Sequence, residues 1–132
     1  MVITKELRTN RREELIDITG MVADEVAKQN INEGRILIFI PHTTAAVTIN
    51  ENADPSVKRD IIHGLGSIGI DSQYYTHSEG NSPAHIKSSI FGCSIDVVVN
   101  NGRLLLGTWQ GIYFCEFDGP RNRKFIIQIL KA

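Results

Sequence analysis

The sequence predicts a single domain, residues 1–132, in which strands and helices share one core. The chain has 132 residues and is 42% hydrophobic, which is enough for one domain with a substantial core. Apolar side chains recur at helical spacing in residues 19–30, whereas residues 35–40 are continuously apolar, as in a buried strand. The last third is predicted to be sheet, with strands at 94–99, 103–106, 111–117 and 123–130.

The first forty residues alternate between strand and helix patterns. Residues 2–8 and 14–18 alternate weakly between apolar and polar side chains, which predicts two strands. Thr19 is a suitable cap for a helix that runs to about Asn30. The apolar run at 35–40 ends at a proline and is typical of a strand that is covered on both faces.

Two further helices and one hairpin are predicted from capping and turn residues. Asp54 is a good N-cap for a helix over 55–63, and Ser82 is a good N-cap for a third helix that ends near Gly92. A proline follows each cap, at the first helical position that tolerates it. Residues 100–102, Asn-Asn-Gly, predict a tight turn between two antiparallel strands.

The stretch 77–92 is the strongest candidate for a functional site. The free N–H groups at the start of the helix at Ser82 would form an anion site. Around this helix start the sequence places His77, His85, Lys87, Ser88 and Ser89. A metal or phosphate site uses these residue types, but a capped surface helix with two solvated histidines would show the same pattern.

Residues 41–54 form a second candidate stretch. A strand here would place His42, Thr44 and every second residue to Asn50 on one small, polar face, which suits a pocket wall. An edge strand with a half-solvated face explains the pattern equally well. Three side chains with oxygen ligands follow within four residues, at Glu51, Asn52 and Asp54. Asp54 is also explained as a helix cap.

Glu116 and Arg121 are the candidate groups in the last third. Glu116 shares a predicted strand face with Ile112 and Phe114. A carboxylate beside apolar groups has a raised pKa unless it is paired, so Glu116 is a candidate general base or metal ligand. The alternative is a structural ion pair with Arg121 or Arg123. Arginine in the turn at 118–123 also suits bidentate binding of phosphate.

Composition argues against several classes of partner. With a net charge of −1, the chain lacks the overall positive charge that is typical of proteins that bind nucleic acid or a membrane surface. No apolar run approaches membrane-spanning length, and the N-terminus lacks a signal-peptide pattern. Cys93 and Cys115 match no metal or redox spacing and are interpreted as reduced thiols of a cytoplasmic protein.

Three blocks together resemble one family: PHTTAAVTINENAD at 41–54, HSEGNSPAHIKSSIFG at 77–92 and GTWQGIYFCEFDGPRNRK at 107–124. They resemble the YjbQ-like family, whose members are often labelled secondary thiamine-phosphate synthase. The resemblance covers essentially the whole chain in the right order. It implies an α+β fold with a mainly antiparallel sheet, single or bifurcated, and two or three helices. It also implies a homotrimer with a polar, histidine-containing site. This site would lie either within one subunit or at the interface between subunits.

The resemblance also assigns site residues by position. It implies a site formed by His42, Asn52, Asp54, His77, Asn81, His85, Glu116 and Arg121. Together with the residue patterns, this gives Glu116, Asp54 and His42 as candidate catalytic groups. The candidate phosphate ligands are Asn52, Asn81, Ser82, Lys87 and Arg121, and the candidate metal ligands are His42, His77 and His85.

Three functions are expected to compete. The first is thiamine-phosphate synthesis, which joins a pyrimidine-methyl diphosphate to a thiazole phosphate and needs a diphosphate cradle with a divalent cation. The second is a zinc-dependent hydrolase of a small phosphorylated compound, with Glu116 or Asp54 activating water. The third is a trimeric ligand- or metal-binding protein without turnover. Oxygen ligands would favour magnesium, and imidazole ligands would favour zinc.

Overall fold

The computed structural model describes residues 1–132 and contains eight strands and three helices in one chain. The strands are β1 (Val2–Arg8), β2 (Glu14–Asp17), β3 (Gly34–Phe39), β4 (Ala45–Glu51), β5 (Ser94–Asn100), β6 (Arg103–Leu104), β7 (Gln110–Glu116) and β8 (Asn122–Lys131). The helices are α1 (Thr19–Lys28), α2 (Pro55–Leu65) and α3 (Ser82–Phe91). No helix combines the length and the apolar character that crossing a membrane requires.

The strands form two separate antiparallel sheets. The larger sheet has the order β1-β8-β3-β5-β6, and the smaller sheet has the order β2-β7-β4. Every strand pair in both sheets is antiparallel. The predicted α+β class with a mainly antiparallel arrangement is therefore confirmed.

The main core lies between the two sheets because each contributes one apolar face. Ile36 and Ile38 of β3 and Ile127 of β8 are fully buried, and they belong to the same cluster as Phe114 of the smaller sheet. Successive side chains in a strand point to opposite faces, so these residues alternate with more exposed ones. Val22 of α1 adds to this cluster from the helix that follows β2.

A second apolar cluster lies on the other face of the smaller sheet. Cys115 and Phe117 point to this side, and Phe91 of α3 packs edge-on against Phe117 with ring centroids 5.1 Å apart. Ile62 and Leu65 of α2 are half-buried against the same cluster. Helices cover this face and the larger sheet covers the other, so β7 is buried on both sides.

Several local predictions are confirmed at the level of single residues. Asp54 caps α2, and its Oδ1 accepts a hydrogen bond from the Ser56 N–H at 2.9 Å. The hairpin between β5 and β6 turns at Asn101 and Gly102, which both have positive φ, as a tight two-residue turn requires. Asn and Gly adopt this conformation at the lowest cost.

Two local predictions are wrong. Thr19 does not cap α1: it is the first helical residue, and its Oγ1 accepts the Ile112 N–H at 2.8 Å. This contact fastens the helix start to β7. The strand at 35–40 is not covered on both faces, because no helix packs on the outer face of the larger sheet. Leu37 is therefore only half-buried and Phe39 is exposed.

Candidate functional site

A cavity of about 680 Å³ is lined by half of the predicted site residues, namely His42, His77, Asn81, His85 and Arg121. Its walls come from the segment after β3, the loop before α3, the start of β5 and the turn before β8. Three of the chain's four histidines line it. The lining side chains with chemical function are His42, His77, Glu79, Asn81, His85, Cys93, Arg121 and Arg123. We call this space the histidine cavity.

His77 and His85 meet across the start of α3. Their rings are edge-on, with centroids 5.3 Å apart and planes at 87°. His85 lies in the first turn of α3, and His77 belongs to the loop that leads into that helix. This arrangement brings two imidazoles, which can donate, accept or carry a proton, to one side of the cavity.

His42 approaches the cavity from the segment before β4. The prediction that it lies on a β4 face is wrong, because β4 begins only at Ala45. Its Nε2 lies 3.0 Å from the donating N–H of Lys124. Burial, followed by the positive charge of Arg123, holds the pKa of His42 below its usual range. His42 is therefore neutral at pH 7, and in the tautomer in which Nε2 accepts from Lys124 its Nδ1 carries the hydrogen.

Asp118 holds Arg121 in place at the edge of the cavity. The Arg121 Nε donates to the Asp118 carbonyl oxygen at 2.7 Å, and its Nη2 donates to Asp118 Oδ2 at 2.8 Å. Burial would raise the pKa of Asp118, but hydrogen bonds from Asn81 and Arg121 outweigh it and lower that pKa. A guanidinium has five N–H donors, so Arg121 keeps about three for a ligand.

Asn81 links the start of α3 to the same carboxylate. It precedes the helix, and its Nδ2 donates to Asp118 Oδ2 at 2.8 Å. Its Oδ1 is buried without any hydrogen-bond partner in the chain. Buried polar atoms are rarely left unpaired, so this acceptor is a candidate contact for a ligand donor or a bound water.

The start of α3 does not form the anion site predicted for it. Asn81, rather than Ser82, is the residue that precedes the helix. The Ala84 and His85 N–H groups both donate to the Asn81 carbonyl oxygen, at 3.0 and 3.4 Å. Pro83 has no N–H, so only the Ser82 N–H remains free in this turn. Anion binding at this end of the cavity would therefore depend on side-chain donors rather than on backbone N–H groups.

Glu116 is fully buried beneath the cavity and does not line it. It forms an ion pair with Arg123 through both carboxylate oxygens. The Thr9 hydroxyl donates to its Oε1 at 2.7 Å, and the Asp118 N–H donates to its Oε2 at 3.0 Å. Burial would raise the pKa of Glu116, but these hydrogen bonds, with Arg123 first, lower it. Of the two alternatives that the sequence left open for Glu116, the structure therefore has the ion pair with Arg123.

The turn that carries Arg121 is fastened to the segment after β1. The Thr9 N–H donates to the Arg121 carbonyl oxygen at 2.9 Å, and the Gly119 N–H donates to the Arg12 carbonyl oxygen at 2.9 Å. A Cβ on Gly119 would overlap the Arg11 carbonyl oxygen, so only glycine allows this close approach. The turn is thus positioned by backbone contacts across the chain.

Besides Glu116, four of the predicted residues lie outside the histidine cavity. Lys87 is buried in an ion pair with Glu13, with Nζ and Oε2 2.6 Å apart, so its charge is already used. Asn52 donates to Asp17 at 3.1 Å, and Asp54 caps α2. Ser82 lines a side pocket with His77, Tyr75 and the loop around Asp71.

The side chains predicted as metal ligands do not form a coordination site in the single chain. No group of three or more His, Cys, Asp or Glu side chains is arranged to hold a metal ion. His42, His77 and His85 share the cavity, but zinc would need them to move or would need a ligand from another chain. The oxygen ligands at Glu51, Asn52 and Asp54 line no part of this cavity. The single chain therefore offers no formed metal centre.

Sequence reasoning missed three of the cavity's lining side chains with chemical function, namely Glu79, Cys93 and Arg123. Glu79 and Arg123 lie inside the blocks at 77–92 and 107–124, so their position was a usable signal. Cys93 gave no local signal, because it reaches the cavity only through the pairing of β3 with β5. The Ile40 N–H donates to the Cys93 carbonyl oxygen at 2.8 Å, which continues that pairing to the cavity wall.

Comparison with known proteins identifies close relatives over the full chain. A family model described as UPF0047 protein, YjbQ-like, matches residues 3–132. UPF0047 protein MJ1081 of Methanocaldococcus jannaschii is 51% identical over 130 residues, which cover 98% of this chain and 94% of that protein. UPF0047 protein YugU of Bacillus subtilis is 50% identical over 131 residues, covering 98% and 99% of the two chains.

A solved structure agrees with the fold described above. The crystal structure of a YjbQ/UPF0047 family protein from Clostridium acetobutylicum matches with a TM-score of 0.93 at 49% identity. The match covers 97% of this chain and 99% of that chain. These relatives establish the family and the fold, and they leave the reaction to be inferred from the site.

Proposed function

Because the chain belongs to the YjbQ-like UPF0047 family, we propose that it is an enzyme acting on a phosphorylated small molecule in the histidine cavity. Thiamine-phosphate synthesis, the activity by which this family is often labelled, is the specific reaction that we propose to test. The single observation that carries the proposal is that Arg121 and three imidazoles line one cavity.

Arg121 gives the cavity free hydrogen-bond donors for an anionic ligand. The Asp118 carboxylate and carbonyl engage only one side of its guanidinium. Half of the Arg121 side chain stays exposed. Glu79 is the only carboxylate among the cavity's lining residues. Arginine offers paired N–H donors in the geometry that phosphate oxygens accept.

The proposed chemistry places specific demands on these side chains. The C–O bond between the pyrimidine methylene and its diphosphate breaks, and the thiazole nitrogen forms the new C–N bond. The electron pair of the broken bond leaves with pyrophosphate. Arg121 and an N–H group of His77 or His85 would donate hydrogen bonds to the negative charge that accumulates on the leaving group. The buried Asn81 Oδ1 would orient a donor on the pyrimidine or on a bound water.

The competing functions make different demands. A zinc-dependent hydrolase needs a formed set of metal ligands, and no group of three is present in the chain. A binding protein without turnover would use the same cavity and the same Arg121. Turnover is therefore the property that separates the proposed enzyme from the binder.

The experiment is an assay of purified, tag-free protein with both substrates, magnesium or zinc in separate reactions, and product detection by mass spectrometry. We expect formation of thiamine phosphate together with one pyrophosphate per product. An Arg121→Ala variant should lose this activity, whereas Arg103→Ala, at an exposed residue that does not line the cavity, should keep it. Wild-type protein that binds the substrates but forms no product would contradict the enzymatic proposal.

The proposal also includes the assembly and location of the protein, which we expect to be a homotrimer in the cytoplasm. The outer face of the larger sheet supports an oligomer, since Phe39, Val98 and Leu130 are exposed there and no helix covers them. Both cysteines are free, which suits a reducing compartment. Multi-angle light scattering should give about three times the chain mass of 14.7 kDa. A mass of one chain would contradict this part of the proposal.

A further inference from the structure

A second cavity lies between α2 and the connection from β1 to β2. Its volume is about 760 Å³, within the range that small-molecule sites occupy. One side is lined by Pro55, Lys58, Arg59, Ile62 and His63, and the other by Asn10, Arg11, Glu13, Glu14 and Leu15. It shares no lining residue with the histidine cavity. We call this space the α2 groove.

The α2 groove carries three cations that have no ion-pair partner in the chain. Arg11, Lys58 and Arg59 line it, and none of them takes part in a salt bridge. None of the three side chains donates a hydrogen bond to another residue either. Their donors are therefore free to meet a ligand.

The carboxylates near these cations are engaged elsewhere. Glu13 is paired with Lys87, with Nζ and Oε2 2.6 Å apart. The Glu14 Oε2 accepts the N–H groups of Asn10 and Arg11, at 2.6 and 2.9 Å. Asp54, whose pKa is lowered first by the Ser56 N–H and also by the charge of Arg59, caps α2. The groove thus keeps an excess of positive charge.

The floor of the α2 groove is apolar. Among the residues that line it, Leu15 is buried, Ile62 is half-buried and Pro55 is exposed. A planar ring can pack on such a surface, while cations at the rim hold charged groups. Small-molecule sites commonly combine an apolar floor with a few directed polar groups, and this groove does so.

We infer that the α2 groove binds a second phosphorylated small molecule, one that carries a ring together with at least one phosphate group. Arg11, Lys58 and Arg59 would contact the phosphate oxygens, and Ile62 and Pro55 would contact the ring. Arginine and lysine are the usual ligands of phosphate in proteins. The inference does not depend on the function proposed for the histidine cavity, since the two spaces share no residue.

The test is a titration of isotope-labelled, full-length protein with adenosine diphosphate, followed by NMR, with adenosine as the uncharged comparison. Adenosine diphosphate should shift the amide signals of Arg11, Lys58, Arg59 and His63, and adenosine should shift them little. The double variant Lys58→Ala with Arg59→Ala should raise the Kd at least about tenfold, because two charge-assisted contacts are lost. Arg121→Ala should leave these shifts unchanged, whatever happens at the histidine cavity.

Three results would overturn the inference. The first is the absence of shifts in the α2 groove at millimolar adenosine diphosphate. The second is an equal loss of affinity in Arg35→Ala, a control at an exposed ion pair outside the groove, which would mark the binding as unspecific. The third is dissociation of an oligomer by the double variant, which would show that a second copy of the chain covers the groove.

Discussion

Glu116→Gln is expected to lower the free energy of unfolding by about 3–5 kcal/mol, the cost of removing one partner from a buried ion pair. Glu116 is fully buried, and Arg123 is buried beside it. The glutamine side chain has nearly the same shape, so the loss arises from charge rather than from packing. The Arg123 guanidinium would keep Thr44 as an acceptor but would have no anion to neutralise it.

Urea denaturation of the two proteins measures this loss. Asp96→Asn is the matched control, because Asp96 pairs with Arg35 at 3.8 Å and both side chains are more than half exposed. Exposed pairs contribute about 0–1 kcal/mol, so the control should change stability little. A Glu116→Gln protein as stable as the wild type, with turnover greatly reduced, would contradict the structural role and support the catalytic one.

The pH dependence of the same variant provides an independent check. The folded-state pKa of Glu116 is lower than its unfolded value, through the hydrogen bonds from Arg123, Thr9 and Asp118 described above. Its stabilising contribution is therefore present above the unfolded pKa, about 4.3, and is lost as the pH falls through the folded pKa. The stability difference between wild type and Glu116→Gln should shrink steadily once the pH is lowered below about 4.

Arg121→Ala is expected to weaken binding of the thiazole phosphate by about 10- to 100-fold, since hydrogen bonds to charged groups contribute about 1.5–3 kcal/mol. Arg121 is half exposed in the cavity, and its guanidinium has free donors on the side away from Asp118. Isothermal titration calorimetry of wild type and variant gives the two dissociation constants. The fold should survive, because the Thr9 contacts to this turn use the backbone of residue 121.

The unphosphorylated thiazole alcohol serves as the control ligand. It lacks the group that Arg121 would contact, so the variant should bind it nearly as well as the wild type does. An equal loss of affinity for both compounds would contradict a phosphate-binding role. It would indicate instead that the substitution disturbs the shape of the cavity.

Features that depend on neighbouring residues were predictable from the sequence. The strands follow the period of two, Asp54 caps α2 through a group two residues away, and the Asn101-Gly102 turn needs only its own φ preferences. The grouping of His77 and His85 also depends on local geometry, because His85 lies in the first turn of α3 and His77 in the loop that leads into it.

Features that depend on long-range pairing were not predictable. Lys87 meets Glu13 across 74 residues, and Glu116 meets Thr9 across 107 residues. In the sequence, Lys87 next to a helix start resembles a phosphate ligand; only the fold shows that Glu13 takes up its charge. Asn52 and Asp54 likewise resembled site residues, yet β4 carries them away from the segment that holds His42.

A crystal structure of the protein grown with pyrophosphate tests the central claim, that phosphorylated compounds bind in the histidine cavity, most directly. The account predicts pyrophosphate oxygens about 3 Å from the Arg121 guanidinium nitrogens, with His77 or His85 in contact on the opposite side. Pyrophosphate bound only in the α2 groove, or absent from the histidine cavity at concentrations that saturate binding in solution, would contradict it.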